Sequence, residues 1–470
     1  MTPLSEGARG TETNASSTTS RTHSIRIDMP PTSIDLFAGC GGLSLGLHNA
    51  GWEGLFAIER DKMAFETFSK NLIDADAPYR TYASWPAWLT KQNHDIVHLL
   101  DEERVRRELR ALRGKIDLVA GGPPCQGFSV GGRRDGADER NKLVFKMLEL
   151  VELVQPRAVL IENVEGIARR FLARPGKSAD APVAQLVLDE LAKLGYVGTF
   201  TVVSAVDFGV PQTRRRVAIL AVRSAENLAP ATLKALFEHS LKDAATTVRT
   251  YYELPLNRPI TVGEALEDLC GGRRLACPDS LEFESSVYVP AKKSYARAMR
   301  KGIRTGTVPD SHRYSKHGDR IQTLYALAHE TQEPGRLSKE FLLANGTKKD
   351  KKALLDESMP SSTITTHPDE FIHYAEPRNV TVREMARLQS FPDDFRFFGR
   401  YTINGPRRRH DVARCSQVGN AVPPLLGHGL GLAIKNVLTA LADAETLDAV
   451  IGTLARETVG ASGQAVLALD

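Results

Sequence analysis

Short apolar runs alternate with longer amphipathic stretches in the first half of the chain. The apolar runs predict strands at 33–37, 55–58, 116–120, 158–161, 199–203 and 217–222. Helical stretches separate several of them, the first at 43–50. Strands that alternate with helices are typical of a sheet with helices on both faces. The pattern therefore predicts an α/β fold with a Rossmann-like, mixed but mostly parallel sheet.

The pattern changes twice along the chain, and these changes predict the domain organisation. Residues 1–30 are rich in Ser and Thr without an apolar segment, which predicts a disordered tail. Beyond residue 224 the apolar runs become irregular, and a helical pattern returns near residue 380, with a long helix at 425–441. We expect a first domain over 31–224, a second, smaller domain over 225–370, a return to the first domain over 371–445 and a C-terminal extension over 446–470.

Composition narrows the class of protein. The chain is 42% hydrophobic and 25% charged, the balance of a soluble globular protein. Its net charge of +4 permits a polyanionic partner without requiring one. Five cysteines occur without a C-x-x-C pair, which disfavours a disulfide framework or a zinc site and favours a reducing cytosol. No signal peptide or membrane-spanning run is expected.

The first candidate site is a glycine turn after the first predicted strand. The segment DLFAGCGG at 35–42 lies where ligands bind in parallel sheets, and its glycines let a ligand approach the backbone. Glu59 ends the second predicted strand about 20 residues later, the spacing at which an acid reaches ribose hydroxyls. Ser44 stands where a dinucleotide fingerprint needs its third glycine. The turn therefore favours another adenosine-containing cofactor, although a tight turn without a ligand stays open.

The second candidate site is Cys125, in the segment GGPPCQGFS at 121–129. The two preceding prolines fix the backbone just before the thiol, and the strand end places it beside the same crevice. A basic, glycine-rich stretch follows, which is typical of a loop that closes over a nucleophile. A small buried cysteine is the alternative interpretation, which the flanking prolines and glycines disfavour.

Two further candidates follow later strands. Glu162 ends the strand at 158–161, where its carboxylate would point into the crevice, although a helix cap or ion pair is the simpler interpretation of this residue alone. The segment QTRRR at 212–216 leads into the last strand of the sheet. Strand alternation places Arg214 and Arg216 on one face and Arg215 on the other. Two guanidinium groups on one face suit phosphate or a base oxygen.

Taken together and in this order, these segments resemble the DNA cytosine-5 methyltransferases of bacteria. DLFAGCGG, GGPPCQGFS, ENV at 162–164 and QTRRR are similar to four motifs of that family. REMARLQSFP at 383–392 and QVGNAVPP at 417–424 resemble its last two motifs. PSSTIT at 360–365 is similar to a stretch that precedes the penultimate motif. The resemblance extends from about residue 33 to about residue 440.

The resemblance implies a role for each matched residue. Cys125 would add to carbon 6 of the cytosine ring, protonated Glu162 would hold ring N3 and the exocyclic amine, and Arg216, with Arg214 beside it, would serve the same catalytic site. Ser129, Arg133 and Arg134 would contact DNA phosphates. S-adenosyl-L-methionine would be held by nine residues: Phe37, Gly39, Gly42, Glu59, Asp95, Ile96, Pro123, Asn420 and Ala421. Arg60 departs from relatives that place an aromatic residue against the adenine.

The implied function is methylation of cytosine carbon 5 in a specific double-stranded DNA sequence, after base flipping. The resemblance also implies that 31–224 and 371–445 form the catalytic domain and that 225–370 is a smaller, inserted target-recognition domain. The resemblance implies a cytoplasmic, nucleoid-associated monomer without a metal or membrane partner, acting alone or beside a restriction endonuclease. Three alternatives stay open: a transfer RNA cytosine-5 methyltransferase, an inert DNA-binding regulator of the same fold, and a dehydrogenase. Intact Cys125 and Glu162 disfavour the regulator, and Ser44 disfavours the dehydrogenase.

Overall fold

The structure is a computed structural model that describes residues 29–124, 142–169, 182–223, 228–347, 351–402 and 411–443. The described residues from Pro31 onward form one compact unit. The predicted C-terminal extension and nearly all of the predicted tail lie outside the described residues. The order of the elements below explains how distant segments of the sequence reach one edge of the sheet.

Six strands form the central sheet in the order β2-β1-β3-β4-β6-β5. Pairing is parallel from β2 through β4, whereas β6 runs antiparallel to both of its neighbours. The predicted mixed, mostly parallel sheet is therefore confirmed. The strands are β1 (Thr32–Leu36), β2 (Glu53–Ile58), β3 (Leu118–Gly121), β4 (Ala158–Val164), β5 (Tyr196–Ser204) and β6 (Arg215–Arg223).

Helices cover both faces of this sheet because its strands are apolar on both sides. In β3, Leu118 and Ala120 pack into one core and Val119 into the other. The α-helices are α1 (Gly42–Asn49), α2 (Lys62–Leu72), α3 (Ile96–Asp101), α4 (Glu103–Ala111), α5 (Lys142–Val154), α6 (Val183–Lys193), α7 (Pro230–Tyr251), α8 (Val262–Leu266), α9 (Ser294–Met299), α10 (Asp319–Thr331), α11 (Lys339–Ala344), α12 (Val382–Leu388), α13 (Arg414–Asn420) and α14 (Pro424–Ala442).

The last helix, α14, packs against the first helix, α1. Glycines allow the two backbones to meet, since a Cβ placed on Gly46 would lie 2.5 Å from the Cα of Gly427. The stretch Arg414–Ala442 contains an 18-residue segment with a mean hydropathy of 1.4, which by length and composition alone would be enough to cross a membrane. In this structure the apolar side chains of that segment belong to the protein core, because 61% of the segment is buried and α14 contacts α1 and α7.

The region predicted for target recognition contains several small elements. A hairpin is formed by β7 (Arg274–Cys277) and β8 (Ser280–Ser286), and a three-stranded sheet by β9 (Gly335–Arg336), β10 (Ala353–Leu354) and β11 (Phe371–Ile372). Leu324, Tyr325 and Leu342 belong to a separate small core beside that sheet. Helix α7 packs instead against β5 and α14. The domain boundaries themselves stay a prediction.

Buried ion pairs fasten this region to α12. Arg387 has no exposed side-chain surface and pairs with Asp268, Nη1 to Oδ1 at 2.9 Å, and with Asp393. Arg378 forms two hydrogen bonds to Glu384, at 2.7 and 2.8 Å. Despite burial, the charges of Arg378 and nearby histidines hold the pKa of Glu384 well below its usual range. Removing one partner of such a pair leaves a buried charge uncompensated, so these contacts fix the position of α12.

Candidate active site

The carboxyl ends of β1, β2, β3 and β4 meet at one edge of the sheet, and a cavity of about 420 Å³ opens there. Segments far apart in sequence line it because parallel strands deliver their following loops to the same edge. Of the predicted site residues, the cavity lining contains Phe37, Gly39, Glu59, Asp95, Ile96, Pro123, Glu162, Arg214, Arg216, Asn420 and Ala421. The structure thus brings eleven of the sixteen together.

The glycine turn forms one wall of the cavity. Phe37 and Gly39 adopt φ angles of 57° and 56°, and a Cβ on Gly39 would find open space. Glu59 holds the turn, since its carboxylate accepts hydrogen bonds from Gly39 N at 2.9 Å and Asp61 N at 2.7 Å. The turn therefore presents backbone and one carboxylate to the cavity, as predicted.

Gly42 has a different position from the one that its predicted role requires. The residue begins α1 but is not part of the cavity lining. A Cβ on Gly42 would lie only 2.2 Å from the carbonyl oxygen of Val422. Its glycine identity is therefore explained by the close approach of a distant chain segment, and the predicted cofactor contact is not supported by this position.

Asp35 is a buried acid that the sequence analysis did not assign to the site. Its Oδ2 accepts a short hydrogen bond from Ser44 Oγ, which lies 2.8 Å from the hydroxyl of Tyr82. Its Oδ1 is buried without a hydrogen-bond partner among the described residues. Burial raises the pKa of Asp35 to about 7. The signal was present in the sequence, since Asp35 lies in the glycine motif.

Asp95 and Ile96 form the side of the cavity beyond β2. Asp95 caps α3 by accepting a hydrogen bond from Val97 N at 2.9 Å, and Ile96 is buried. The guanidinium of Arg60, which also lines the cavity, is 3.8 Å from the Asp95 carboxylate. Since the Arg60 side chain is 76% exposed, it can change position without disturbing the core.

Asn163 fixes the backbone that leads to Cys125. Its side-chain amide donates to the carbonyl of Pro123 at 3.0 Å, and both residues line the cavity. Pro124, the last described residue before Cys125, also lines it. Asn163 belongs to the ENV segment, so its position in the motif could have identified it as a positioning residue.

Glu162 and Arg216 meet across adjacent strands. Arg216 Nε lies 3.1 Å from Glu162 Oε1, and the two side chains are 11% and 8% exposed. Oε1 lacks a hydrogen bond of good geometry to any described residue. The site therefore holds a largely buried acid, and the oxygen that lies beside Arg216 is still able to accept a hydrogen bond.

Arg214 lines the same cavity but is engaged with backbone. It donates to the carbonyls of Ile364, Gly419 and Ala421 at 3.4, 3.2 and 3.0 Å. Arg214 and Arg216 do share a face while Arg215 is exposed, as strand alternation predicted. These contacts assign Arg214 a structural part in closing the cavity, beside the catalytic part that was predicted for it.

The chain returns to the cavity through α13 and the residues after it. Asn420 is exposed and Ala421 is buried, and both line the cavity. Asp61 Oδ2 accepts a hydrogen bond from Val412 N at 2.9 Å, which connects this return to the start of α2. Sequence reasoning missed Asp61 because the contact spans residues that are far apart in the chain.

Four predicted site residues lie outside the described residues: Cys125, Ser129, Arg133 and Arg134. Their roles stay predictions. The described chain nevertheless leads β3 through Pro123 and Pro124 into the cavity wall immediately before Cys125.

Comparisons with known proteins identify the family. Residues 32–436 match the C-5 cytosine-specific DNA methylase family. The type II methyltransferase M.DdeI of Desulfomicrobium norvegicum is 29% identical, over 84% of this chain and 86% of the relative. M.AgeI of Thalassovita gelatinovora, another type II methyltransferase, is also 29% identical, over 86% of this chain and 98% of the relative.

A solved structure agrees at the level of the fold. The crystal structure of a chain described as a DNA modification methyltransferase encoded within an E. coli prophage superposes with a TM-score of 0.56. It is 24% identical and covers 87% of this chain and 99% of its own. Since the family match spans most of the sequence, the chain belongs to the C-5 cytosine-specific DNA methylases.

Proposed function

We propose that the chain transfers a methyl group from S-adenosyl-L-methionine to carbon 5 of cytosine within a specific DNA sequence, through a covalent bond between Cys125 and carbon 6. The pairing of Glu162 with Arg216 at 3.1 Å carries this proposal. It supports a site for the edge of a cytosine, because the pair shares a cavity with Pro124, the neighbour of the nucleophile. Family membership supports the same reaction.

The cavity suits the cofactor in size and chemistry. Its volume of about 420 Å³ falls within the usual range for small-molecule sites, about 300–1,000 Å³. Glu59 faces the cavity and retains lone pairs that can accept ribose hydroxyls. Asp35 also lines the cavity, and its unpartnered Oδ1 can accept a hydrogen bond from a ligand. Phe37, Gly39, Asp95, Ile96, Pro123, Asn420 and Ala421 would complete the contacts.

Cys125, Glu162 and Arg216 would each contribute a different step or contact to the reaction. When bound, S-adenosyl-L-methionine supplies an electrophilic methyl group. The Cys125 thiolate adds to carbon 6 while Glu162 delivers a proton to N3, and this addition makes carbon 5 electron-rich. Arg216 would hold the base's O2 and keep Glu162 in place. Once carbon 5 has accepted the methyl group, its proton would pass to water and the bond between sulfur and carbon 6 would break, which regenerates the Cys125 thiolate. N3 would then return its proton to Glu162.

The geometry implies base flipping, because a paired base inside a duplex cannot reach the Glu162 carboxylate in its cavity. Flipping costs a few kcal/mol, which contacts to the DNA backbone would offset. Ser129, Arg133 and Arg134 are proposed for such contacts. We place the enzyme in the bacterial cytoplasm at the nucleoid, as a monomer, in a restriction–modification or solitary methylation role.

The experiment that tests this proposal measures activity and target together. DNA from cells expressing the chain, and DNA treated with the purified protein and S-adenosyl-L-methionine, would be analysed by bisulfite sequencing. The proposal predicts protected cytosines at one recurrent sequence in both samples. Methylation of transfer RNA without methylation of duplex DNA would contradict it, as would cofactor binding without methylation of either nucleic acid.

A further inference from the structure

The chain concentrates its positive charge in one short segment. Residues 285–309 contain six cations and no Asp or Glu. The whole chain has a net charge of +4, so all other residues together have a net charge of −2. The six are Lys292, Lys293, Arg297, Arg300, Lys301 and Arg304.

Five of these six side chains are on the protein surface. They surround α9, whose buried residues Tyr295, Ala296 and Met299 seat it on the core. The hydroxyl of Tyr295 donates to the carbonyl of Arg387 in α12 at 2.6 Å. The cations therefore lie around a helix that is anchored to the protein core. We call the exposed set the basic α9 surface: Lys292, Lys293, Arg297, Lys301 and Arg304.

Arg300, the sixth cation of the segment, has a structural role because it pairs with an acid inside the protein. Its Nη1 pairs with Asp268 at 2.9 Å and its guanidinium lies 4.9 Å from the ring centre of Tyr288. Among the described residues, no carboxylate comes within 4.0 Å of a charged group of the basic α9 surface. The fold thus neutralises Arg300, whereas the other five cations are exposed, and of these Arg297 donates a hydrogen bond to the carbonyl of Lys292.

The cations are crowded around the beginning and the exposed side of α9. Lys293 is the N-terminal cap of α9 and Lys292 precedes it, at the end of a helix where negative charge is preferred. Lys293 and Arg297 are four residues apart, a spacing at which like charges repel. Glu267 accepts the backbone N–H of Lys292 at 2.6 Å, which anchors the backbone and leaves the lysine side chains unpaired with it. A cluster of five exposed cations around one short helix suits a polyanionic partner.

We propose that the basic α9 surface binds the phosphodiester backbone of duplex DNA. This inference rests on the proposed function, which supplies DNA as the substrate, and it assigns the contacts to residues. Lys and Arg neutralise phosphates and release counterions, so such binding weakens as salt rises. The surface would add affinity for DNA of any sequence and would not select the methylated sequence.

The test compares two triple variants of the full-length chain. Lys293→Gln with Arg297→Gln and Lys301→Gln removes three charges from the surface. The matched control, Lys91→Gln with Arg107→Gln and Lys115→Gln, removes three charges from exposed positions elsewhere. Binding of a fluorescein-labelled 30-bp duplex of arbitrary sequence would be measured by anisotropy from 50 to 200 mM NaCl, with thermal unfolding to confirm folding.

The slope of log Kd against log salt should be smaller for the surface variant than for the native chain by about 2.7, at about 0.9 for each lost phosphate contact. Affinity of the native chain should then fall about 40-fold more than that of the variant across this salt range. The control should match the native slope. Equal slopes for both variants and the native chain would overturn the inference, while methylation by the native chain would leave the proposed function standing. A native chain that neither binds nor methylates DNA would contradict both.

Discussion

Arg216 and Glu162 face each other because β4 and β6 run antiparallel. Glu162 is directly opposite Ala218, and Arg216 is two residues from Ala218 on the same face of β6. This register places Arg216 Nε 3.1 Å from Glu162 Oε1. A diagonal pair of this kind is fixed by sheet pairing and not by a flexible loop. The acid proposed to grip the base is therefore held in place before DNA arrives.

Replacing Glu162 with Gln tests the acid. Glu162→Gln keeps the shape of the side chain but cannot deliver a proton to N3, so methyl transfer to DNA should fall by about 10²–10⁴-fold. Binding of S-adenosylhomocysteine, measured by calorimetry, should change little. The matched control is Glu165→Gln, whose carboxylate pairs with exposed Arg215 at 2.7 Å. A comparable loss of activity in the control would contradict the assignment.

Arg214 should matter for stability and for cofactor affinity. Arg214→Met removes the donor to three buried carbonyls, including those of Gly419 and Ala421 beside the cavity. Unfolding in urea should show a loss of about 3 kcal/mol or more, the usual cost of breaking buried polar contacts. Cofactor affinity should fall in parallel. Arg215→Met, at a 64% exposed side chain, should change stability by less than about 0.5 kcal/mol. Equal free energies of unfolding for the two variants would be inconsistent with a structural role for Arg214.

The two glycines of the turn should respond differently to alanine. Gly42→Ala places a methyl group 2.2 Å from Val422 O, so it should destabilise the fold by several kcal/mol, as overpacking does. Gly39→Ala meets open space but must adopt a φ of 56°, a strain of about 1–2 kcal/mol. Its methyl group should chiefly weaken cofactor binding, because Gly39 lines the cavity. Thermal unfolding and calorimetric titration of both variants separate the two effects. A larger loss of stability in Gly39→Ala than in Gly42→Ala would argue against the described packing.

Asp35 should make stability depend on pH. Burial raises its pKa from 3.8 to about 7, with the hydrogen bond from Ser44 opposing the rise and the charge of Glu59 adding to it. Between these values the folded chain retains a proton that the unfolded chain has lost, so the contribution of Asp35 to stability is lost as pH rises toward 7. Asp35→Asn cannot ionise. Its stability relative to the native chain should increase by up to about 1.4 kcal/mol per pH unit from pH 5 to 7 and then level off. Urea unfolding at four pH values measures this, and a difference independent of pH would refute it.

Much of the fold and site follows from local sequence. The strands at the carboxyl edge are apolar runs that end in glycines or an acid, so their positions and the convergence of Glu59 and Glu162 could be predicted. The face shared by Arg214 and Arg216 follows from strand alternation alone. A local sequence pattern is sufficient to predict the position of a residue where a single strand or turn determines that position.

Contacts between distant segments were not predictable in this way. The approach of Gly42 to Val422 and the hydrogen bonds from Arg214 to Ala421 depend on how α13 and α14 return to the sheet. Nothing near Gly42 in the sequence distinguishes a packing glycine from a ligand-binding one. The pairing of Arg387 with Asp268 likewise joins α12 to a residue that lies 119 positions earlier in the chain. Tertiary packing determined these roles.

The central claim is that the sulfur of Cys125 bonds to carbon 6 of a cytosine held by Glu162. Its most direct test uses a duplex with 5-fluorocytosine at the cytosine found by bisulfite sequencing, incubated with the protein and S-adenosyl-L-methionine. Fluorine cannot leave as a proton does, so the adduct should persist, and peptide mass spectrometry should locate it on Cys125. Sustained methylation of ordinary duplex with no adduct at Cys125 on the fluorinated one would contradict the account.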